Sequence, residues 1–294
     1  MKYDVTLRID YAYGTPSVGG RHLVCLIPQG SGPDQSVSRA KLAIHPAPQE
    51  RVDRQDFFGN QVTEFSFRAP HLAMSLTMTA QVERQAVPPD RSALSVPLGA
   101  LGAALGAVHD VGALSPLHFL APSFRVPRDP EIIAFGEDQQ GAGQTVFDVV
   151  VAVGRALHRH MKFDAKATTV DTPASEAFAK ARGVCQDFSH IMIGCLRGLG
   201  IPAGYVSGFL RTLPPPGKPR LQGADAMHAW VRAWCGPQGG WIDYDPTNAC
   251  FAGADHICVA WGRDYSDVAP VKGTIRIAGG QTSKQAVDVV PLAE

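Results

Sequence analysis

The stretch GVCQDFSHIMIGCLRGLG, residues 183–200, sets a short polar segment carrying one cysteine directly before an apolar run. Phe188, Ile191, Met192, Cys195, Leu196 and Leu199 recur at helical spacing and predict one continuous apolar stripe. Gly200 with Pro202 just beyond it predicts the end of that helix. Cys185 then falls at the helix N-terminus, where unpaired N–H groups and the positive end of the helix dipole favour a thiolate. Cys195 falls on the buried stripe and is expected to be inert. A helix-end cysteine alone is more often structural than catalytic, so its meaning depends on its partners.

A thiolate nucleophile needs a base that later returns a proton, and the base needs an acceptor to orient it. Residues 225–250, DAMHAWVRAWCGPQGGWIDYDPTNAC, supply both. Two strand-like runs, AMHAWVRAW and GWIDYDPT, flank the turn-forming CGPQGG and predict an antiparallel hairpin. Centring the turn between Pro237 and Gln238 pairs residues whose numbers sum to about 475. His228 then faces Thr247, and Asp245 lies one diagonal step away, roughly 7 Å. Asp243 shares the parity of Asp245 but lies further along the strand. An isolated histidine would be read as structural; one with a carboxylate folded beside it and a helix-tip cysteine upstream is read as catalytic.

Outward from this centre the chain divides. Tyr3, Val5, Leu7, Ile9, Tyr11 and Tyr13 alternate with mostly polar residues, and Leu72, Met74, Leu76, Met78 and Val82 repeat the period, so residues 1–90 are expected to form an antiparallel β-domain. Between these strands lie HLVCLIP, VTEFSF and the turn-like FGN. From Thr145 the rhythm is helical through Val146, Val149, Val150, Val153, Leu157 and Met161. A second helix is expected to open at Thr172-Pro173 and to stop at Gly183. The proline-dotted segment between about 110 and 140 marks the boundary, giving an N-terminal β-rich domain over 1–125 and a catalytic domain over 126–294.

Composition excludes several classes. The chain has 294 residues, 45% hydrophobic and 18% charged, enough for about two domains with ample core. Lys plus Arg (27) balance Asp plus Glu (27), which leaves no basic footprint for nucleic acid or an anionic membrane surface. Ser92 to Val108 is uncharged apart from its flanks, but it falls short of the ~20 residues of a membrane span and contains Pro97. Six cysteines without framework spacing, and an opening that enters a strand without an apolar leader, give the expectation of reduced thiols and a cytoplasmic location. Cys185, His190 and Cys195 step about 140° apart on a helix and cannot converge on one ion; His158 and His160 also diverge. Cys235, Cys250 and Cys258 lack paired ligand spacing, so neither metal nor cofactor is expected. The glycines of GLGIPAG follow a helix instead of opening one, which gives nucleotide binding no support.

GVCQDFSH, LRGLGIPAGYVSGFL, HAWVRAW and GWIDYDPT together resemble the sequence blocks of the transglutaminase-like cysteine enzymes. The bacterial branch with a β-rich N-terminal domain is most similar, and the tail HICVAWGRDYSDVAPVKGTIRIAGG resembles it too. The resemblance implies an α+β, papain-like core in which the cysteine helix packs on an antiparallel sheet. It makes Cys185 the nucleophile, His228 the general base and acid, and Asp245 the orienting carboxylate. The chemistry implied is acyl transfer through a thioester on a peptide, protein or small amide substrate. Hydrolysis is expected, because the bacterial members with this architecture look like cysteine hydrolases, and no calcium-loop pattern D-x-[DN]-x-[DN]-G of a calcium-switched cross-linker is present. An amine-accepting, cross-linking transglutaminase is the alternative in the same class. A non-catalytic peptide-binding scaffold is the alternative in another, and it would be expected to lack one of the three residues. Arg232 departs from the acidic residue that many relatives carry after the histidine strand, which leaves charge preference open. The loop from Leu213 to Ala224 is expected near the cleft as a candidate lid. The sequence does not fix an oligomeric state.

Overall fold

The computed structural model of the protein describes residues 1–30, 34–85, 92–212, 223 and 225–292; most of the loop named above, 213–222 and 224, lies outside the described residues. The chain opens with six strands: β1 (Lys2–Ser17), β2 (Gly20–Val24), β3 (Gln35–His45), β4 (Glu50–Gln55), β5 (Gln61–Phe67) and β6 (His71–Arg84). Their alternation follows the sequence period. Tyr3, Val5, Leu7, Ile9 and Tyr13 are buried on β1, and Met74, Leu76, Met78 and Val82 on β6, whereas Leu72 is 57% exposed. Two short 3₁₀ turns and the helix α1 (Leu101–Gly106) occupy the apolar segment after Ser92.

The second half begins with helices α2 (Pro130–Glu137) and α3 (Val146–His160), then β7 (Lys162–Phe163), α4 (Ala174–Lys180), β8 (Arg182–Gly183) and α5 (Cys185–Gly198). Thr145 caps α3 reciprocally with Asp148, and every apolar position read at helical spacing from Val146 to Met161 is buried. The helix after Thr172 is shorter than expected. Its N-cap is Pro173, which has no side-chain cap, and it ends at the left-handed Ala181, because Arg182 and Gly183 pair in parallel with Lys162 and Phe163. Strands β9 (Ala203–Leu210), β10 (Ala226–Trp234), β11 (Trp241–Asp245), β12 (Cys250–Phe251) and β13 (His256–Gly262) form one antiparallel sheet, ordered β12-β11-β10-β9-β13. Helix α5 packs on β9 and β10, with α2, α3 and α4 around it. This is the α+β core of a helix lying on an antiparallel sheet.

The last elements, α6 (Tyr265–Val268), β14 (Val271–Thr274) and β15 (Gln281–Pro291), turn back. β15 pairs with β1 from Tyr3↔Pro291 to Tyr13↔Gln281, and β14 pairs with β2. The two N-terminal sheets are therefore β15-β1-β6-β3 and β14-β2-β5-β4. The tail, assigned by sequence to the second unit, hydrogen-bonds into the first. Its polar–apolar alternation fits a sheet edge, and only Val287 and Val289 are buried along β15.

Side-chain amides fasten the two units. The free edge of β13 would expose unpaired backbone groups. Gln35 occupies two of them, accepting the Cys258 N–H at 2.8 Å and donating to the Cys258 carbonyl at 2.7 Å. Asn60 does the same for Trp261, at 3.0 and 2.9 Å, and Gln29 donates to Asn60 at 3.0 Å. All three amides are buried. Gln35→Leu leaves the Cys258 N–H buried without its acceptor and should cost about 1–3 kcal/mol of unfolding free energy. Denaturant unfolding at constant slope measures it, and an unchanged midpoint would mean that the seam carries no stability.

Candidate active site

The polar segment before the apolar stripe builds the start of α5. Asp187 reaches back to accept the Val184 N–H at 2.8 Å and the Thr168 hydroxyl at 2.6 Å. Burial raises its carboxyl's pKa, and those two hydrogen bonds oppose the rise. Gly183 makes this possible, since a Cβ there would stand 2.5 Å from the Asp187 carboxylate oxygen. Gln186 is held by donating to the Val170 carbonyl at 3.1 Å. At the other end Leu199 caps the helix, and Gly200 takes φ +76° while Ile201 N–H returns to the Leu196 carbonyl. Cys185 is thus the first residue of a rigid helix and is partly exposed, whereas Cys195 is buried and donates to the Ile132 carbonyl at 3.1 Å.

The hairpin supplies the partners. Its ladder runs Val231↔Tyr244, Arg232↔Asp243, Ala233↔Ile242 and Trp234↔Trp241. Beyond it His228 Nε2 meets Asp245 Oδ2 at 2.7 Å. Cys185 lies near enough to the ring to favour its protonated form. With Nε2 engaged by Asp245, Nδ1 is the ring nitrogen left for the thiol. Burial pulls the His228 pKa down, but hydrogen bonds and attraction to Asp245 and Cys185 prevail and push it up to about 10. Burial raises the Asp245 pKa, and the same His228 contact with further donors more than reverses this, so the carboxyl lies below its ordinary range.

Asp245 is fully buried, and both of its oxygens are occupied. Oδ1 accepts the N–H groups of Thr247 at 2.9 Å and Asn248 at 3.1 Å. Oδ2 accepts the Asn248 side-chain amide at 2.7 Å and lies 3.1 Å from His256 Nε2, besides His228. His228, Asp245 and His256 offer ligand atoms within 4.8 Å of one another, a spacing a metal could use. The tautomer argues against it: His256 Nδ1 accepts the Gly253 N–H at 3.2 Å, so its Nε2 carries the proton and donates. The cluster is a hydrogen-bond network.

The structure thus brings His228 against Asp245, with Cys185 near the ring. Asp243 goes elsewhere, accepting from Arg232 Nε at 2.8 Å and Trp230 Nε1 at 3.2 Å. Arg232 in turn lies over the Trp261 ring at 4.7 Å. The departure from an acidic residue at position 232 is thus matched by an internal ion pair that keeps the guanidinium engaged. Sequence reasoning missed Asn248 and His256. The spacing Asp245-x-x-Asn248 is a local turn signal that could have flagged the first. His256 carried no signal beyond being a lone polar residue opening an apolar strand.

The chain resembles known proteins throughout. Residues 133–246 match the family model described as Transglutaminase-like superfamily, and residues 3–83 match Bacterial transglutaminase-like N-terminal region. An uncharacterized protein of Mycobacterium tuberculosis (strain ATCC 25618 / H37Rv) is 32% identical over 99% of this chain and 93% of its own length. One from Mycobacterium leprae is 32% identical over 96% of each. The crystal structure of a "putative cysteine protease" from Cytophaga hutchinsonii superposes with TM-score 0.77 over 100% of this chain and 91% of that one, at 22% identity.

Two outcomes separate the aspartates. Asp243→Asn strands the Arg232 charge and should lower stability by on the order of 3 kcal/mol. Asp245→Asn should instead slow Cys185 alkylation by iodoacetamide. A slower rate in Asp243→Asn, with an unchanged rate in Asp245→Asn, would reverse the assignment. The pH response has a definite sign. A histidine raised from its ordinary ~6.5 stabilises the fold fully below that value, and the contribution is lost as pH rises through about 10. Thermal unfolding midpoints at about pH 6 and about pH 10 should differ less in Asp245→Asn than in the wild type.

Proposed function

The chain belongs to the transglutaminase-like superfamily of cysteine enzymes, and on that premise we propose that it is a hydrolase that opens a peptide or carboxamide bond through a Cys185 thioester. The observation that carries this reading is the placement of His228 between the Cys185 thiol and a buried Asp245 that holds Nε2 at 2.7 Å.

In this reading the Cys185 thiolate attacks the carbonyl carbon, and the carbonyl oxygen becomes an oxyanion. Backbone N–H groups at the start of α5 stabilise that charge. The His228 imidazolium gives its proton to the departing nitrogen as the C–N bond breaks, leaving a thioester and a free amine. Neutral His228 then takes a proton from water, whose oxygen attacks the thioester; the C–S bond breaks, the acid leaves, and the thiolate and imidazolium are restored. Asp245 accepts from Nε2 throughout, which fixes the ring and stabilises its charged form.

Four of the other five cysteines, Cys25, Cys195, Cys250 and Cys258, are unsuited to the role. Burial pushes the thiol pKa of Cys25 and Cys195 up to about 12, and that of Cys250 and Cys258 up to about 11.

Mass spectrometry of a peptide library with and without a primary amine distinguishes the outcomes. Hydrolysis of a backbone amide yields fragments, side-chain deamidation adds about one mass unit, and transfer adds the amine. Cys185→Ala should abolish whichever change appears while leaving the fold intact. Turnover that survives this substitution would overturn the mechanism, and amine incorporation outpacing hydrolysis would move the protein to the cross-linking class. If none appears and Cys185 is alkylated no faster than Cys235 or Cys250, the site is a binding cleft.

A further inference from the structure

His256 opens β13 and is 5% exposed. Resting on the reading above, we propose that His256 is a positioning residue: a neutral donor that holds Asp245 as an oriented anion and thereby extends the reactive range of Cys185 towards acid. Two hydrogen bonds define it. Gly253 N–H donates to Nδ1 at 3.2 Å, and Nε2 stands 3.1 Å from Asp245 Oδ2. The first bond makes Nδ1 an acceptor, so the ring proton sits on Nε2 and points at the carboxylate.

The surroundings give the ring no other role. Trp230 packs edge-on at 5.3 Å, and His228 lies 6.1 Å away, centroid to centroid. The titratable and charged groups around it are His228 on β10, Asp245 on β11 and Cys250 on β12, which lies close enough to Asp245 to feel its charge. Asp255, the neighbour in sequence, turns away to Arg211 at 2.7 Å and Tyr3 at 3.1 Å. His256 is therefore directed at Asp245.

A buried carboxylate stays ionised in proportion to the donors it accepts. Without the His256 donor, Asp245 takes up a proton at higher pH. A protonated Asp245 no longer stabilises the His228 imidazolium, and the imidazolium no longer stabilises the thiolate. The acid limb of Cys185 reactivity should then move upward.

The test is the iodoacetamide alkylation rate of Cys185 across pH, followed by peptide mass spectrometry, for the wild type and for His256→Phe, His256→Gln, His256→Asn and His228→Ala. His256→Phe keeps a ring beside Trp230 without the donor, and labelling on the acid limb should be about tenfold slower, a displacement of roughly one pH unit. His256→Gln can place its amide N–H near the original Nε2 and should restore the wild-type profile. His256→Asn stops a carbon short and should follow the Phe variant. A wild-type profile in the Phe or Asn variant, or a Gln variant that follows Phe, overturns the proposal. Unfolding of both Phe and Asn variants while Gln folds would assign His256 to stability alone, which also overturns it. His228→Ala separates the two levels: if it slows labelling while His256→Phe does not, only the positioning role falls. If His228→Ala leaves the wild-type rate unchanged, the nucleophile–base reading falls and takes this one with it.

Discussion

A carboxylate without solvent exposure persists as an anion only when its lone pairs are occupied, and Asp245 meets that demand with five donors. Two come from the backbone just after it, where the chain turns back through Thr247 and Asn248. One comes from the Asn248 amide and two from imidazoles on separate strands. The cost of burying charge is offset locally, so β10, β11 and β13 are bound to one geometry by a single side chain. The proton affinity of His228 follows in large part from this arrangement.

The parts of this centre that sequence could reveal are those fixed by short-range periodicity. The helix start at Cys185 follows from the apolar stripe on α5 and the punctuation at Gly200. The hairpin register follows from the CGPQGG turn, and the paired residue numbers sum to 475 as turn-centred pairing requires. That register places Asp245 near His228 and Asp243 beside Arg232. His256 was invisible because its relation to Asp245 runs through β13 crossing to the far side of β9, a pairing that no local pattern encodes. The return of β14 and β15 was hidden for the same reason. Strand partners more than 200 residues apart are chosen by which edges stay open, and an edge is a property of the folded sheet. The early end of α4 at Ala181 reflects a tertiary pairing with β7 that overrides helix propensity.

The seam between the units shows how polar side chains can finish a sheet. Gln35 and Asn60 present donor and acceptor in the spacing of a peptide group, and each matches one residue of β13. The catalytic sheet thus gains the equivalent of a partial sixth strand made from amide side chains. This occupies the β13 edge at Cys258 and Trp261, on the same strand that His256 opens. The aromatic cluster of Phe119, Trp230 and Trp261 lies close by, with Phe58 from the N-terminal domain packed on it.

The closure of β15 on β1 has a consequence for the order of events during synthesis. β1 finds one partner, β6, within the first 84 residues, but its other edge waits for residues 281–291. Nearly the whole of the cysteine-bearing unit leaves the ribosome during that interval. The nascent N-terminal sheets must therefore carry two open flanks, beside β1 and beside β2, for about 200 residues of elongation, on the order of 10–40 seconds at bacterial rates. An unpaired flank of that kind invites association with a neighbouring chain. The polar and charged residues at alternate positions of β1, among them Asp4, Arg8 and Asp10, are suited to discouraging it until the terminal strand arrives.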